Sequence, residues 1–155
     1  MSNVRRFNEE KNKIKKLKPE EQARFPLNPL IENDMENLYH WIAIINGPAG
    51  TPYEGGKIKV NIYITDGYPS KAPIVSFEPI CFHTSIDPKS GQPCLDILND
   101  WKPTKYLCNI CLSLYELLQN PSAVHEVNTE AVNLFKDDHK KYIEKAEQWT
   151  RDNAK

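Results

Sequence analysis

Four cysteines, Cys81, Cys94, Cys108 and Cys111, are the residues of this sequence best suited to covalent chemistry. A thiolate is both a strong nucleophile and a good leaving group, so a reachable cysteine can accept an acyl group and release it again. Cys94 lies in Gly91-Gln-Pro-Cys-Leu-Asp-Ile-Leu98, beside Gly91 and Pro93, in a segment too punctuated to form part of a core. Cys108 and Cys111 fall instead on a helical run whose apolar stripe is Leu107, Ile110, Cys111, Leu114, Leu117 and Leu118. A cysteine in such a stripe behaves as a small hydrophobe. The Cys108-x-x-Cys111 spacing, taken with Cys81 and Cys94, also invites zinc, but a structural site would consume the reactive thiol, so no metal is expected. His83 and His125 could act as the base of a small cysteine hydrolase, yet no recognised protease signature surrounds Cys94.

The elements that must position these residues follow from the breakers. All six glycines lie between Gly47 and Gly91, and all twelve prolines between Pro19 and Pro121. Helix is therefore expected at both ends, with strands and loops between. Val4, Phe7, Ile14 and Leu17 recur at helical spacing, with Ser2 as N-cap and Pro19 as stop. Residues 1–18 carry seven basic residues against Glu9 and Glu10, a local excess of five. The period changes at Leu38–Ile45, and Ile58, Val60, Ile62 and Ile64 then alternate with Lys57, Lys59, Asn61 and Tyr63. Pro73–Phe77 reads as a further short strand. The short connections favour an antiparallel meander over parallel strands. Val127, Ala131, Val132 and Phe135 suggest one later helix, and Tyr142, Ala146 and Trp149 another. Between His83 and Pro103 some twenty residues are expected to lack regular structure, which a small domain rarely retains without a function. Trp101 and Trp149 read as packing residues.

Composition narrows the classes. At 155 residues one domain spanning 1–155 is expected. Lys plus Arg number 20 against 21 for Asp plus Glu, so nothing advertises a nucleic-acid binder by bulk charge. No apolar run reaches bilayer length and the first twenty residues are polar, so neither a membrane span nor a signal peptide is expected. Four cysteines in a chain of this length suit a reduced, intracellular setting rather than a disulfide framework.

Three blocks in order resemble the ubiquitin-conjugating enzymes: Gly47-Pro-Ala-Gly-Thr-Pro-Tyr-Glu-Gly-Gly56 with the later Tyr68-Pro-Ser-Lys-Ala-Pro73; Phe82-His-Thr-Ser-Ile86; and Gly91–Leu98 followed by Trp101-Lys-Pro103. The similarity runs from about residue 4 to residue 152. It implies an α+β fold: an N-terminal helix, a four-stranded antiparallel meander sheet and C-terminal helices, in agreement with the periodicity. It further implies that Cys94 carries a modifier as a thioester, received from an activating enzyme and passed to a substrate lysine or a ligase, without cofactor. The expected partners are ubiquitin or a ubiquitin-like modifier, the activating enzyme, a ligase and a protein substrate, in the cytoplasm or nucleus. SUMO-type and Nedd-type modifiers are the alternatives, as is a catalytically weak variant that only binds ubiquitin or a ligase.

The sequence departs from the family pattern at several points. His83-Thr84-Ser85 stands where the family writes His-Pro-Asn, which makes Ser85 the candidate oxyanion donor and His83 a loop-holding residue. Asn120 stands where many members place an Asp thought to orient the incoming lysine, so direct transfer to lysine is expected to be weaker than transfer to thiols. The interval from His83 to Cys94 is one longer than in many members, and that from Cys94 to Trp101 one shorter. The resemblance also makes the first helix the docking face for the activating enzyme, through Arg5 and Arg6. Reversing both charges is expected to leave stability nearly unchanged. Ser70 and Pro103 occupy the two ligase-facing loops, where Ser70 replaces a large apolar anchor.

Overall fold

A computed structural model describes residues 4–121 and 125–155; Ser2, expected as an N-cap, lies outside them. Helix α1 (Val4–Lys15) turns Phe7 and Glu10 into the protein, while Val4 is exposed. Pro19 does not stop this helix. It opens a one-turn helix α2 (Pro19–Gln22), at a first position where no backbone donor is needed.

The sheet runs β1 (Leu27–Glu32), β2 (Met35–Asn46), β3 (Lys57–Tyr63) and β4 (Ile74–Phe77), in that spatial order and antiparallel throughout. Periodicity alone marks three of these strands. β1 escapes it because Pro29 interrupts the run. An edge strand tolerates proline, and the register shifts between Pro29 and Leu30. Asn33 and Asp34, with φ of 52° and 64°, supply the two left-handed residues of the hairpin joining β1 to β2. Trp41 pairs with Ile62, Ala43 with Val60 and Ile45 with Ile58, which places one continuous apolar row on a single face. Val75 and Phe77 extend it.

Helix α4 (Leu107–Gln119) packs on that face through Leu107, Ile110, Cys111, Leu114 and Leu118, all buried. The stretch expected to be irregular contains one turn of helix, α3 (Asp96–Asn99), and a bridge between Ile86 and Pro93. Helices α5 (Thr129–Asp137) and α6 (His139–Asn153) follow. Asn128 caps α5 by accepting from the Ala131 N–H, so Val127 falls outside the helix and is 39% exposed. No helix among the described residues is long and apolar enough to cross a membrane.

Candidate active site

The loop that carries Cys94 is fastened to the sheet behind it. Gly91, at φ +75°, accepts through its carbonyl from the Phe77 N–H at 2.8 Å. A side chain there would meet the Phe77 carbonyl at 2.6 Å, so only glycine allows this approach. The Cys94 N–H then donates to the Ser85 carbonyl at 2.8 Å.

His83-Thr84-Ser85 is a junction rather than a reacting group. His83 is fully buried; its Nε2 donates to the Leu117 carbonyl at 2.9 Å, and its Nδ1 accepts from the Ser85 N–H at 2.9 Å. Burial pushes the imidazole down to about 4, so it is neutral at physiological pH. With both nitrogens engaged, His83 has no lone pair to offer Cys94, and the geometry is that of a loop-holding residue. The Thr84 carbonyl accepts from the N–H groups of Val127 and Asn128, each at 3.1 Å. Tyr53 donates its hydroxyl to the Phe82 carbonyl at 2.6 Å. Ser85 is 1% exposed and does not line the space beside Cys94. What it presents to Cys94 is its backbone carbonyl, so the expected oxyanion donor is withdrawn into the interior.

The four thiols divide sharply. Cys81, Cys108 and Cys111 are buried, and Cys94 is half-buried. Burial pushes Cys108 up to about 11 and Cys81 and Cys111 well above the ordinary thiol value. These three stay protonated and inert. Among the described residues, no three His, Cys, Asp or Glu side chains gather to hold a metal ion.

Cys94 opens onto a cleft of about 300 Å³, also lined by Asp96, Glu116, Asn120 and His125. Asn120 caps the C-terminus of α4, its N–H donating to the Glu116 carbonyl, and is exposed. It is the one residue of the expected catalytic set that shares the cleft with Cys94. Two further groups, Asn99 and Asp96, were not assigned to this site by sequence reasoning, and His125 was considered there only as the base of a hydrolase. Asn99 Nδ2 lies 3.5 Å from Cys94 Sγ, and His125 Nε2 lies 3.0 Å from Asp96 Oδ1. Asn99 carries no signal in the sequence, and the His125–Asp96 pair arises only when the chain folds back on itself.

The candidate docking residues sort by exposure. Arg5 is exposed, with Glu9 at 3.4 Å. Arg6 is not, which corrects the reading of both as solvated contacts. Its guanidinium lies 4.0 Å over the Tyr106 ring and donates to the carbonyls of Pro103 (2.8 Å) and Lys105, and to Glu10 (2.9 Å). Glu10, 1% exposed, also accepts from the Tyr68 hydroxyl and, at 2.8 Å, from the Leu107 N–H that opens α4. Ser70 and Pro103 are both exposed, and their loops adjoin, since Trp101 Nε1 donates to the Pro69 carbonyl at 2.7 Å. Tyr68 is buried and cannot replace the missing anchor.

A family model described as "Ubiquitin-conjugating enzyme" matches residues 6–150. The chain belongs to the ubiquitin-conjugating enzyme family. It is 38% identical over 124 residues to the ubiquitin-conjugating enzyme E2 pex4 of Dictyostelium discoideum, covering 79% of this chain and 83% of that one. To the ubiquitin-conjugating enzyme E2 2 of Aspergillus fumigatus it is 36% identical over 133 residues, 85% of each chain. Its fold superposes on the E2 domain of a Toxoplasma gondii ubiquitin conjugating enzyme with a TM-score of 0.85, at 27% identity, covering 99% of this chain and 100% of that one. The α+β meander is thus the ubiquitin-conjugating fold. Members of this family generally work by thioester transfer, together with ubiquitin, activating enzymes and ligases.

Proposed function

We propose that this ubiquitin-conjugating enzyme accepts activated ubiquitin on Cys94 and passes it to a ligase cysteine or a substrate lysine. The observation that carries this reading is the contrast among the thiols: Cys94 alone opens onto a cleft, while the other three are buried. Charging requires the Cys94 thiolate to attack the thioester carbonyl of ubiquitin's C-terminal glycine. A tetrahedral intermediate forms, and the cysteine thiolate of the activating enzyme leaves. Because a thiol replaces a thiol, this exchange needs little acid–base help. Attack by an amine is harder, since a proton must be removed and nitrogen must displace sulfur.

The test is incubation with ATP, ubiquitin and its activating enzyme, followed by a non-reducing gel. A thiol-sensitive adduct is expected, and Cys94→Ser should abolish it or convert it to a reductant-resistant ester. Parallel reactions with SUMO-type and Nedd-type modifiers and their own activating enzymes decide the modifier. Normal charging by Cys94→Ser, or no adduct with ubiquitin, would overturn this reading.

A further inference from the structure

Asp96 and His125 approach the Cys94 cleft from different parts of the chain. Asp96 opens α3, two residues beyond Cys94, and His125 stands between α4 and α5. The His125 side chain is 33% exposed, so the imidazole is anchored yet reachable from the cleft. The other three histidines are elsewhere or occupied. His83 is buried with both nitrogens bonded, His40 meets Asn61 across the sheet, and His139 meets the Phe135 carbonyl on α6.

From this placement we propose that His125, oriented by Asp96, is the base that takes the proton of the amine attacking the Cys94 thioester. The inference rests on the reading of Cys94 as the thioester carrier. A carboxylate 3.0 Å from Nε2 holds the ring proton on that nitrogen and leaves the Nδ1 lone pair to accept another. A bond forms between the amine nitrogen and the glycine carbonyl carbon, and a proton passes from that nitrogen to Nδ1. The carbon–sulfur bond then breaks and Cys94 departs as thiolate. The resulting imidazolium is held by Asp96 on α3 at 3.0 Å, and Glu116 on α4 adds a second carboxylate to the lining of the same cleft. Its chain neighbour Glu126 is paired with Lys136 at 2.7 Å, and Cys94 is esterified during this step. Asn120, in the same cleft, cannot take a proton.

The experiment follows single-turnover discharge of the purified ubiquitin thioester to free L-lysine between pH 5 and 8.5. Because the thioester is isolated first, charging does not enter the rate. After division by the fraction of lysine present as free amine, which falls with acid in any mechanism, the rate for the natural protein should still fall with acid, and this remaining acid limb is the one that bears on His125. His125→Gln should lower discharge by about tenfold or more and remove that acid limb. Asp96→Asn, which leaves the imidazole in place, should lower it less. Added imidazole should restore part of the rate in His125→Ala, which a misfolded variant would not show. A natural profile without that limb, or His125→Gln discharging at the natural rate with the natural profile, would overturn the assignment. Failure of the natural protein to form any thioester is read separately on the charging gel, and removes both the proposed function and this step.

Discussion

Glu10 and Asp96 each face a nitrogen base at close range, Glu10 at 2.9 Å from Arg6 and Asp96 at 3.0 Å from His125. Their surroundings differ in every other respect. Glu10 accepts from three donors, Arg6, Tyr68 and the Leu107 N–H, and its side chain is 1% exposed. Asp96 is 87% exposed and its partner opens onto the Cys94 cleft. The first carboxylate joins α1, the loop after β3 and the start of α4 into one rigid junction. The second leaves its base able to meet a substrate. The same pairing of acid and base becomes architecture where both carboxylate oxygens and the base are held by buried partners, and becomes available for chemistry where one nitrogen is left over.

The largest effect that could break this contrast lies at the buried junction. Arg6→Glu would set a second carboxylate beside Glu10 and empty the face of Tyr106. It should destabilise the fold by about 3 kcal/mol or more, read by urea unfolding. Arg5→Glu, at an exposed position, should change stability by less than about 0.5 kcal/mol while slowing charging at low salt. Equal losses from the two changes would show that Arg6 is as peripheral as Arg5.

The difference between Arg5 and Arg6 also marks what the sequence could and could not disclose. Strict alternation in β3 and the stripe of α4 disclose the core, because one face must be apolar for the sheet and helix to meet. The breakers around Cys94 disclose a loop that leaves its thiol outside the core. The stripe of Phe7, Ile14 and Leu17 sets Glu10 and Arg6 nearer the inward face than Glu9 and Arg5, but nothing in it says that Tyr68 and Tyr106 are there to receive them. β1 was hidden by Pro29, and α3 by its single turn. His125 and Asp96 are 29 positions apart, with no local pattern linking them.

A somewhat smaller effect should come from comparing the buried imidazole with the open one. His83 titrates near 4 when folded, against an ordinary value of about 6.5, so the unfolded chain takes up a proton before the native state does. Stability from this group is complete above about pH 6.5 and is lost as the pH falls towards 4, by about 3 kcal/mol. The Glu10 carboxyl, raised by burial, contributes in the opposite direction, so the measurement is a difference. Urea unfolding of the natural protein and His83→Gln at matched pH should give curves that converge towards acid. Parallel curves would mean that the fold protonates His83 as readily as the unfolded chain does.

The smallest change would sharpen the open side of the comparison. Asn120→Asp adds a third carboxylate to the cleft that holds Cys94, Asp96 and Glu116, and should draw in the ammonium form of lysine. At an exposed site the gain is limited to about threefold in discharge rate and should fade with added salt. A larger gain that salt does not weaken would mean that the residue at position 120 handles the proton itself.

The junction at residues 83–85 bears on how much this family pattern can drift. Besides the imidazole of His83, main-chain atoms hold the walls of the cleft: the Ser85 N–H and carbonyl, and the Thr84 carbonyl. Cys94 hangs from one of these groups and the segment leading into α5 from another. Much of the spacing across the cleft is therefore written in the course of the backbone, while the side chains at 84 and 85 are buried and must fit the space behind it. The carbonyls that meet Cys94 and the segment leading into α5 belong to the main chain, which Thr-Ser supplies as well as Pro-Asn does.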